Sequence, residues 1–250
     1  MNMRIIHMSD LHLTADRHPI WGIDTYKQFC KALDCIKNIP NIDCIVVSGD
    51  IADDGNSLTY QYADDILNSL SLPVLWCPGN HDNIETFYEF SKVSKSNIRE
   101  PLTINGVKIV PLNTVAPDES NPKLNRSRGV LFEEDFIYLN QHMLGHNYPT
   151  ILVMHHPSYD PGGWMTNKIL KNREIFNEVI PQYDDLFLIL CGHIHYYMNQ
   201  VINGKKLVSA PAVSFAFHKD LPKYEIDYGQ EGFLTIDINN KDIKVDIVNI

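Results

Sequence analysis

Up to about residue 198, short apolar runs alternate with longer amphipathic segments. Residues 4–8, 43–48, 73–77, 150–154 and 186–191 read as buried strands, each a brief apolar stretch closed by polar residues. Between them, residues 25–37 place Tyr26, Phe29, Cys30, Leu33 and Ile36 at helical spacing, with Asp24 positioned to cap the first turn. Segments 58–70 and 132–144 repeat that pattern. Strand and helix in alternation predict an α/β fold. Beyond residue 198 the period changes: 198–202, 206–208, 232–238 and 243–248 are strand-like, with Asn203-Gly204 and Asn239-Asn240 at turns. The chain is expected to finish as antiparallel hairpins, and 102–111 with Asn105-Gly106 at its tip predicts another. The whole reads as a two-sheet β-sandwich flanked by helices, one domain over residues 1–250.

The polar residues that close the strands carry the chemistry: Asp10-Leu11-His12, Gly49-Asp50, Gly79-Asn80-His81-Asp82, His155-His156-Pro157 and Gly192-His193-Ile194-His195. Loops beyond the carboxyl ends of strands in an α/β sheet converge on one crevice. Any one of these motifs is ordinary turn chemistry. Five together bring Asp, Asn and His into one place, and Gly49, Gly79 and Gly192 let backbone approach it closely. Two carboxylates, one amide oxygen and four imidazoles are too many donors for one tetrahedral zinc, and they suit Mn, Fe or Zn. Two divalent ions are the expected cofactors, bridged by an aspartate about 3.5 to 4 Å apart. Two dications, two carboxylates and a hydroxide leave about +1 at the site, which a phosphodiester balances.

Charge and composition narrow the partners. The 250 residues carry a net charge of −10, and the basic residues Lys123, Arg126, Arg128, Lys205 and Lys206 are scattered, which argues against nucleic acid. No apolar run approaches the roughly 20 residues of a membrane span, and no leader is visible, so the expected setting is cytoplasmic. The five cysteines show no CxxC spacing and read as reduced core thiols.

Those five motifs together resemble the full signature of the calcineurin-like metallophosphoesterases. The resemblance implies a four-layer α/β/β/α fold. It also implies one metal on Asp10, His12, Asp50 and His195 and a second on Asp50, Asn80, His155 and His193. The sequence alone leaves His155 and His156 open as ligand, and the family pattern favours the first. Within the superfamily the chain is similar to the bacterial class III 3′,5′-cyclic AMP phosphodiesterases. The similar segments are Gly49 to Asp54 with Tyr60-Gln61, Pro78 to Asp82, His155 to Pro157 with Gly163-Trp164-Met165, and Ser209 to Phe217 followed by Tyr228 and Gly232-Phe233. Asn113 stands where that subfamily has an aspartate.

The implied reaction is attack of a metal-bridging hydroxide on cyclic AMP, giving the 5′-monophosphate. Asn80 is expected to hold a metal and a phosphate oxygen, and His81 to protonate the leaving oxygen. Asp82 is expected either to orient His81 or to cap a helix over 84–90. Asp53 and Asp54 read as turn caps or supports behind the metals, His156 as a support, and His7 as a satisfied buried histidine. Phe215, Phe217, Trp164 and His218 are candidates to line a base pocket. Other readings are another small phosphodiester, a nucleotide-lipid pyrophosphate, or a non-catalytic scaffold of the same fold. Monomer and homodimer both remain open.

Overall fold

The computed structural model describes residues 2–115, 127–240 and 242–250. Lys123 and Arg126 lie outside the described residues. One sheet has five strands in the order β11-β10-β1-β2-β3: β1 (Asn2–Met8), β2 (Cys44–Ser48), β3 (Val74–Cys77), β10 (Gly232–Asn239) and β11 (Asp242–Asn249). The other has six, β4-β5-β6-β7-β9-β8: β4 (Leu102–Ile104), β5 (Val107–Pro111), β6 (Thr150–Val153), β7 (Leu186–Cys191), β8 (Met198–Ile202) and β9 (Lys205–Ser209).

Strand alternation sorts the apolar residues into layers. Met3, Ile5, Val46 and Leu75 of the first sheet meet Ile109, Ile151, Leu188 and Leu190 of the second in a core between the sheets. The intervening residues, Ile6, Ile45, Val47 and Trp76, turn outward beneath three helices, α1 (Thr25–Ile36), α2 (Ser57–Asn68) and α3 (Ile84–Phe90). Leu152 and Ile189 do the same beneath α4 (Glu133–Met143) and α5 (Arg173–Val179). Burial on both faces is why these strands read as continuous apolar runs. The four layers are those expected from the sequence.

Local chemistry agrees with the elements. Asp24 accepts from the Lys27 N–H at 2.9 Å and caps α1, which buries Phe29, Ala32, Leu33 and Ile36. Asn105-Gly106 and Asn203-Gly204 both take positive φ and close the β4–β5 and β8–β9 hairpins. The closing hairpins divide between the sheets: β9 joins β7 in parallel, whereas β10 joins β1 antiparallel. All five cysteines are free, and Cys44, Cys77 and Cys191 are buried. No helix among the described residues is long and apolar enough to cross a membrane.

The parallel strands β1, β2 and β3, and likewise β5, β6, β7 and β9, end on the same side of their sheets. Every polar motif singled out in the sequence follows one of those ends. The fold therefore delivers the motifs to one edge of the sandwich.

Candidate metal centre

All seven expected donors come together at that edge. Asp10, His12, Asp50, His155, His193 and His195 are buried, and Asn80 is partly so. Asp10, His12, Asp50, His193 and His195 hold positive φ between 46° and 72°. Such backbone costs on the order of 1–3 kcal/mol at each residue and persists only where the surroundings enforce it. Gly49, at φ +95°, lies against the His155 ring, and Gly192 lies against Ser9 and Asp10; a Cβ at either position would collide.

Each imidazole has one nitrogen committed elsewhere. His12 Nδ1 bonds Asp53 Oδ1 at 2.9 Å, His155 Nδ1 the Ser48 carbonyl at 2.7 Å, His193 Nε2 the Lys168 carbonyl at 2.6 Å, and His195 Nδ1 the Phe215 carbonyl at 2.7 Å. A carbonyl or carboxylate accepts, so the committed nitrogen donates and the other faces the centre; metal-ligating histidines are held in this way. His12 Nε2 and His195 Nε2 then lie 3.3 Å apart, with Asp10 Oδ1 3.3 Å from His195 Nε2 and Asp50 Oδ2 3.6 Å from His12 Nε2. A second cluster sets His155 Nε2 3.3 Å from the same Asp50 oxygen and 3.1 Å from Asn80 Oδ1. The His193 ring is 5.0 Å from that of His155, and its backbone N–H donates to Asp10 at 3.0 Å. Asp50 thus stands between two groups of electron-rich atoms at spacings that a cation relieves, and the donors fit two divalent ions.

Electrostatics favour charged carboxylates in this setting. Burial opposes ionisation of Asp10 and Asp50, but His195 beside the first and His155 and His81 beside the second hold both below the usual carboxylate range. Burial, then the neighbouring His155, drives His193 down to about 3, and burial also lowers His12. Both rings are therefore neutral, as ligation requires. His155 goes the other way: burial works against its charge, but Asp50 and Asp10 push it up to about 9.

The support around these donors is partly as expected. Asp53 accepts at one oxygen from His12 Nδ1 and from His81 Nδ1, the latter at 2.8 Å. Asp54 caps the following turn through Asn56 N and Thr59 Oγ1. His156 lies beside the centre, with its ring 4.5 Å from His193, its Nδ1 on Thr114 Oγ1 at 2.8 Å and its Nε2 buried without a partner in the cluster of His155 and His193. His7 is half satisfied: Nε2 meets Ser48 Oγ at 2.8 Å, while Nδ1 is buried without a partner.

Two expectations require correction. Asp82 does not cap α3, and its carboxylate is taken up by backbone rather than by the His81 ring. Its carboxylate accepts the backbone N–H groups of Gly79 (2.8 Å), Ala52 (2.9 Å) and Ile51 (3.3 Å), stitching the loops after β2 and β3 together. Burial, then the charge of Asp50, raises it to about 7. The carboxylate on His81 is Asp53, and the cap of α3 is Asn83, which accepts from Thr86 N. His218 also leaves the base pocket: its Nδ1 lies 3.2 Å from Asp227 in a neighbouring groove.

A cavity of about 280 Å³ opens over the centre. Its floor includes His12, Asp50, Asn80, His81, His193 and His195, and one wall is aromatic, with Phe215, Phe217 and Trp164 joined by Trp21 and Tyr224. The Lys168 carbonyl, Trp21 and Tyr224 escaped the sequence reading. A backbone acceptor leaves no trace in residue type, and the two aromatics belong to no motif.

Comparison with known proteins agrees with this geometry. The 3′,5′-cyclic adenosine monophosphate phosphodiesterase CpdA of Escherichia coli K12 is 24% identical over 248 residues, 95% of this chain and 86% of that protein. A 3′,5′-cyclic-nucleotide phosphodiesterase of Nostoc sp. is 25% identical over 232 residues, 92% of this chain and 85% of its own. A dimetal phosphatase from Danio rerio shares the fold with a TM-score of 0.65 at 12% identity, covering 98% of this chain and 95% of that one. The calcineurin-like phosphoesterase profile matches residues 3–197, and with that match the chain belongs to the calcineurin-like phosphoesterase family of metal-dependent hydrolases.

Proposed function

We propose that the protein is a dimetal phosphodiesterase that opens 3′,5′-cyclic nucleotides, cyclic AMP among them, to the 5′-monophosphate. The observation that carries this reading is the committed nitrogen on each of four imidazoles, with the other nitrogen of His12 and His195 beside Asp50 and Asp10, that of His155 beside Asp50 and Asn80, and His193 clustered with His155. The first ion falls to Asp10, His12, Asp50 and His195, and the second to Asp50, Asn80, His155 and His193. Divalent ions held there supply Lewis acidity, activating water and offsetting phosphoryl charge. Relatives named for cyclic-nucleotide hydrolysis, matched over most of their length, support the substrate class.

The chain's own groups do the rest. His81 lines the cavity with its Nδ1 on Asp53, an arrangement that stabilises the imidazolium, and it is the group that protonates the departing 3′ oxygen. Its backbone N–H donates to Asp50 Oδ1 at 2.8 Å, so the acid and the shared carboxylate are held in register. Asn80, between His155 and the cavity, positions a phosphoryl oxygen through its side chain.

The test is the initial rate of cyclic AMP hydrolysis by purified protein with added Mn²⁺, against a chelator control, with the product identified by chromatography. Metal-dependent 5′-AMP at a kcat/KM near or above roughly 10⁴ M⁻¹s⁻¹ is the expected result. Cleavage of a synthetic diester with cyclic AMP untouched would overturn the substrate while leaving the dimetal chemistry in place.

A further inference from the structure

Trp21 and Tyr224 are large aromatics exposed at 55% and 59%, yet they are not scattered surface residues. Their rings stack at 5.3 Å with planes 23° apart, on the wall of the cavity whose floor is the metal centre. Trp21 sits in a tight turn closed by the Ile20 N to Ile23 O bond at 3.0 Å and its reciprocal at 2.9 Å. At that tip Trp21 has φ +51° and Gly22 φ +80°. Asn or Gly is at home there, and a bulky aromatic is a backbone outlier. The strain leaves the ring more than half exposed, so burial in the core does not account for it; an outlier beside a site points to function.

The opposite support is equally specific. Tyr224 lies on the return arm of a hairpin tied by His218 N to Glu225 O and Asp227 N to Ala216 O. The tip of that hairpin is held by the Trp164 N–H, which donates to the Leu221 carbonyl at 3.0 Å. Trp21 is 5.0 Å from Phe215, and Phe215 is 5.1 Å from the His12 ring. The stack is therefore two ring contacts from a metal-ligating imidazole, a separation that a ribose would bridge.

We propose that Trp21 and Tyr224 form the surface on which the substrate's nucleobase stacks while its phosphate lies over the metal centre. This rests on the reading of the substrate as a cyclic nucleotide. Among the described residues, the aromatic side of the cavity offers no carboxylate or side-chain amide to read a base edge, and stacking engages only the π-face that every base has. The site accordingly accepts adenine and guanine alike and discriminates against phosphodiesters without a base.

The experiment uses the Mn²⁺-loaded chain, Trp21→Ala, Tyr224→Ala and Trp21→Phe. Calorimetry compares binding of 5′-AMP with ribose 5-phosphate, and kinetics compares cyclic AMP and cyclic GMP with methyl p-nitrophenyl phosphate. In the wild type, 5′-AMP is expected to bind on the order of 10-fold tighter than ribose 5-phosphate, the effect of one base–aromatic stack. Either alanine variant removes most of that advantage and lowers the ratio of nucleotide to methyl-ester kcat/KM through KM, and Trp21→Phe retains both. Equal binding of the two monophosphates, survival of the advantage in both alanine variants, or a preference between the cyclic purines above about 100-fold, close to the whole worth of one stack although both purines offer the same face, would overturn the proposal. Turnover of the methyl ester with neither cyclic nucleotide cleaved sinks the proposed function instead, and the binding comparison then decides the stacking surface by itself.

Discussion

The floor and the wall of the cavity are built on opposite terms. The floor comes from residues that directly follow parallel strands, is buried except at Asn80 and His81, and fixes the His12, His155, His193 and His195 rings by a hydrogen bond at the far nitrogen. The aromatic wall comes from turns away from the strand ends, is half open at Trp21 and Tyr224, and is made of rings touching rings. Metal donors must be held to within about half an ångström, so they belong on rigid elements with a supporting layer. A stacked base tolerates sliding and needs only a face. Loops can supply the second requirement but not the first.

The largest effect that would break this contrast lies at Asp50, which stands between both donor groups. Asp50→Asn is expected to lower the rate by more than about 10³-fold, since several kcal/mol of charge stabilisation depends on the ions it holds. Metal content and initial rates measured together check it, and a loss under tenfold would mean that the floor is not one unit. His81→Ala comes next, with a loss on the order of 10²-fold and unchanged metal content, as befits a proton donor rather than a ligand.

Asp53→Ala is expected to cost about 10- to 100-fold, because it supports a donor and the acid together. Both Mn²⁺ affinity and the pH profile of kcat should move. If Asp82→Ala shifts that profile and Asp53→Ala does not, the assignment of the carboxylate to His81 is wrong.

The smallest effect lies beneath the floor, at His7, which burial lowers to about 3 although Asp10 opposes the shift. Its unfolded pKa is about 6.5, so the unfolded state binds the extra proton between pH 6.5 and 3. Stability is therefore lost as pH falls through that window, by about 1.4 kcal/mol at pH 5.5. Urea unfolding of His7→Asn and wild type at pH 7.5 and 5.5 should show the variant gaining that amount in relative stability. A pH-independent difference would show that His7 titrates normally.

Much of the floor was legible because each proposed ligand lies within a few residues of an apolar run, so the run's end locates it. Asp10-x-His12 follows β1 and Gly192-His193-x-His195 follows β7 with no loop to guess. Sequence adjacency misled at Asp82, since neighbours on a tight turn point apart: His81 reaches Asp53, while Asp82 turns down to three backbone N–H groups. The short helix α5 was not anticipated, having only seven residues in which to establish a period. The wall was half legible. Phe215 and Phe217 belong to a recognisable segment, but Trp21 enters only through a turn conformation that its residue type argues against.

The left-handed backbone at five donor positions has a bearing on how this centre can change. Apart from glycine, the residues that tolerate that conformation are chiefly Asn, Asp and His. Hard and borderline metal ions draw on the same short alphabet. If these residues hold the ions as proposed, backbone and metal favour the same residue types at Asp10, His12, Asp50, His193 and His195, and a β-branched or long-chain replacement is disfavoured by both. On the proposed ligand assignment, replacing a floor residue costs backbone strain as well as a donor, whereas replacing a wall residue costs neither.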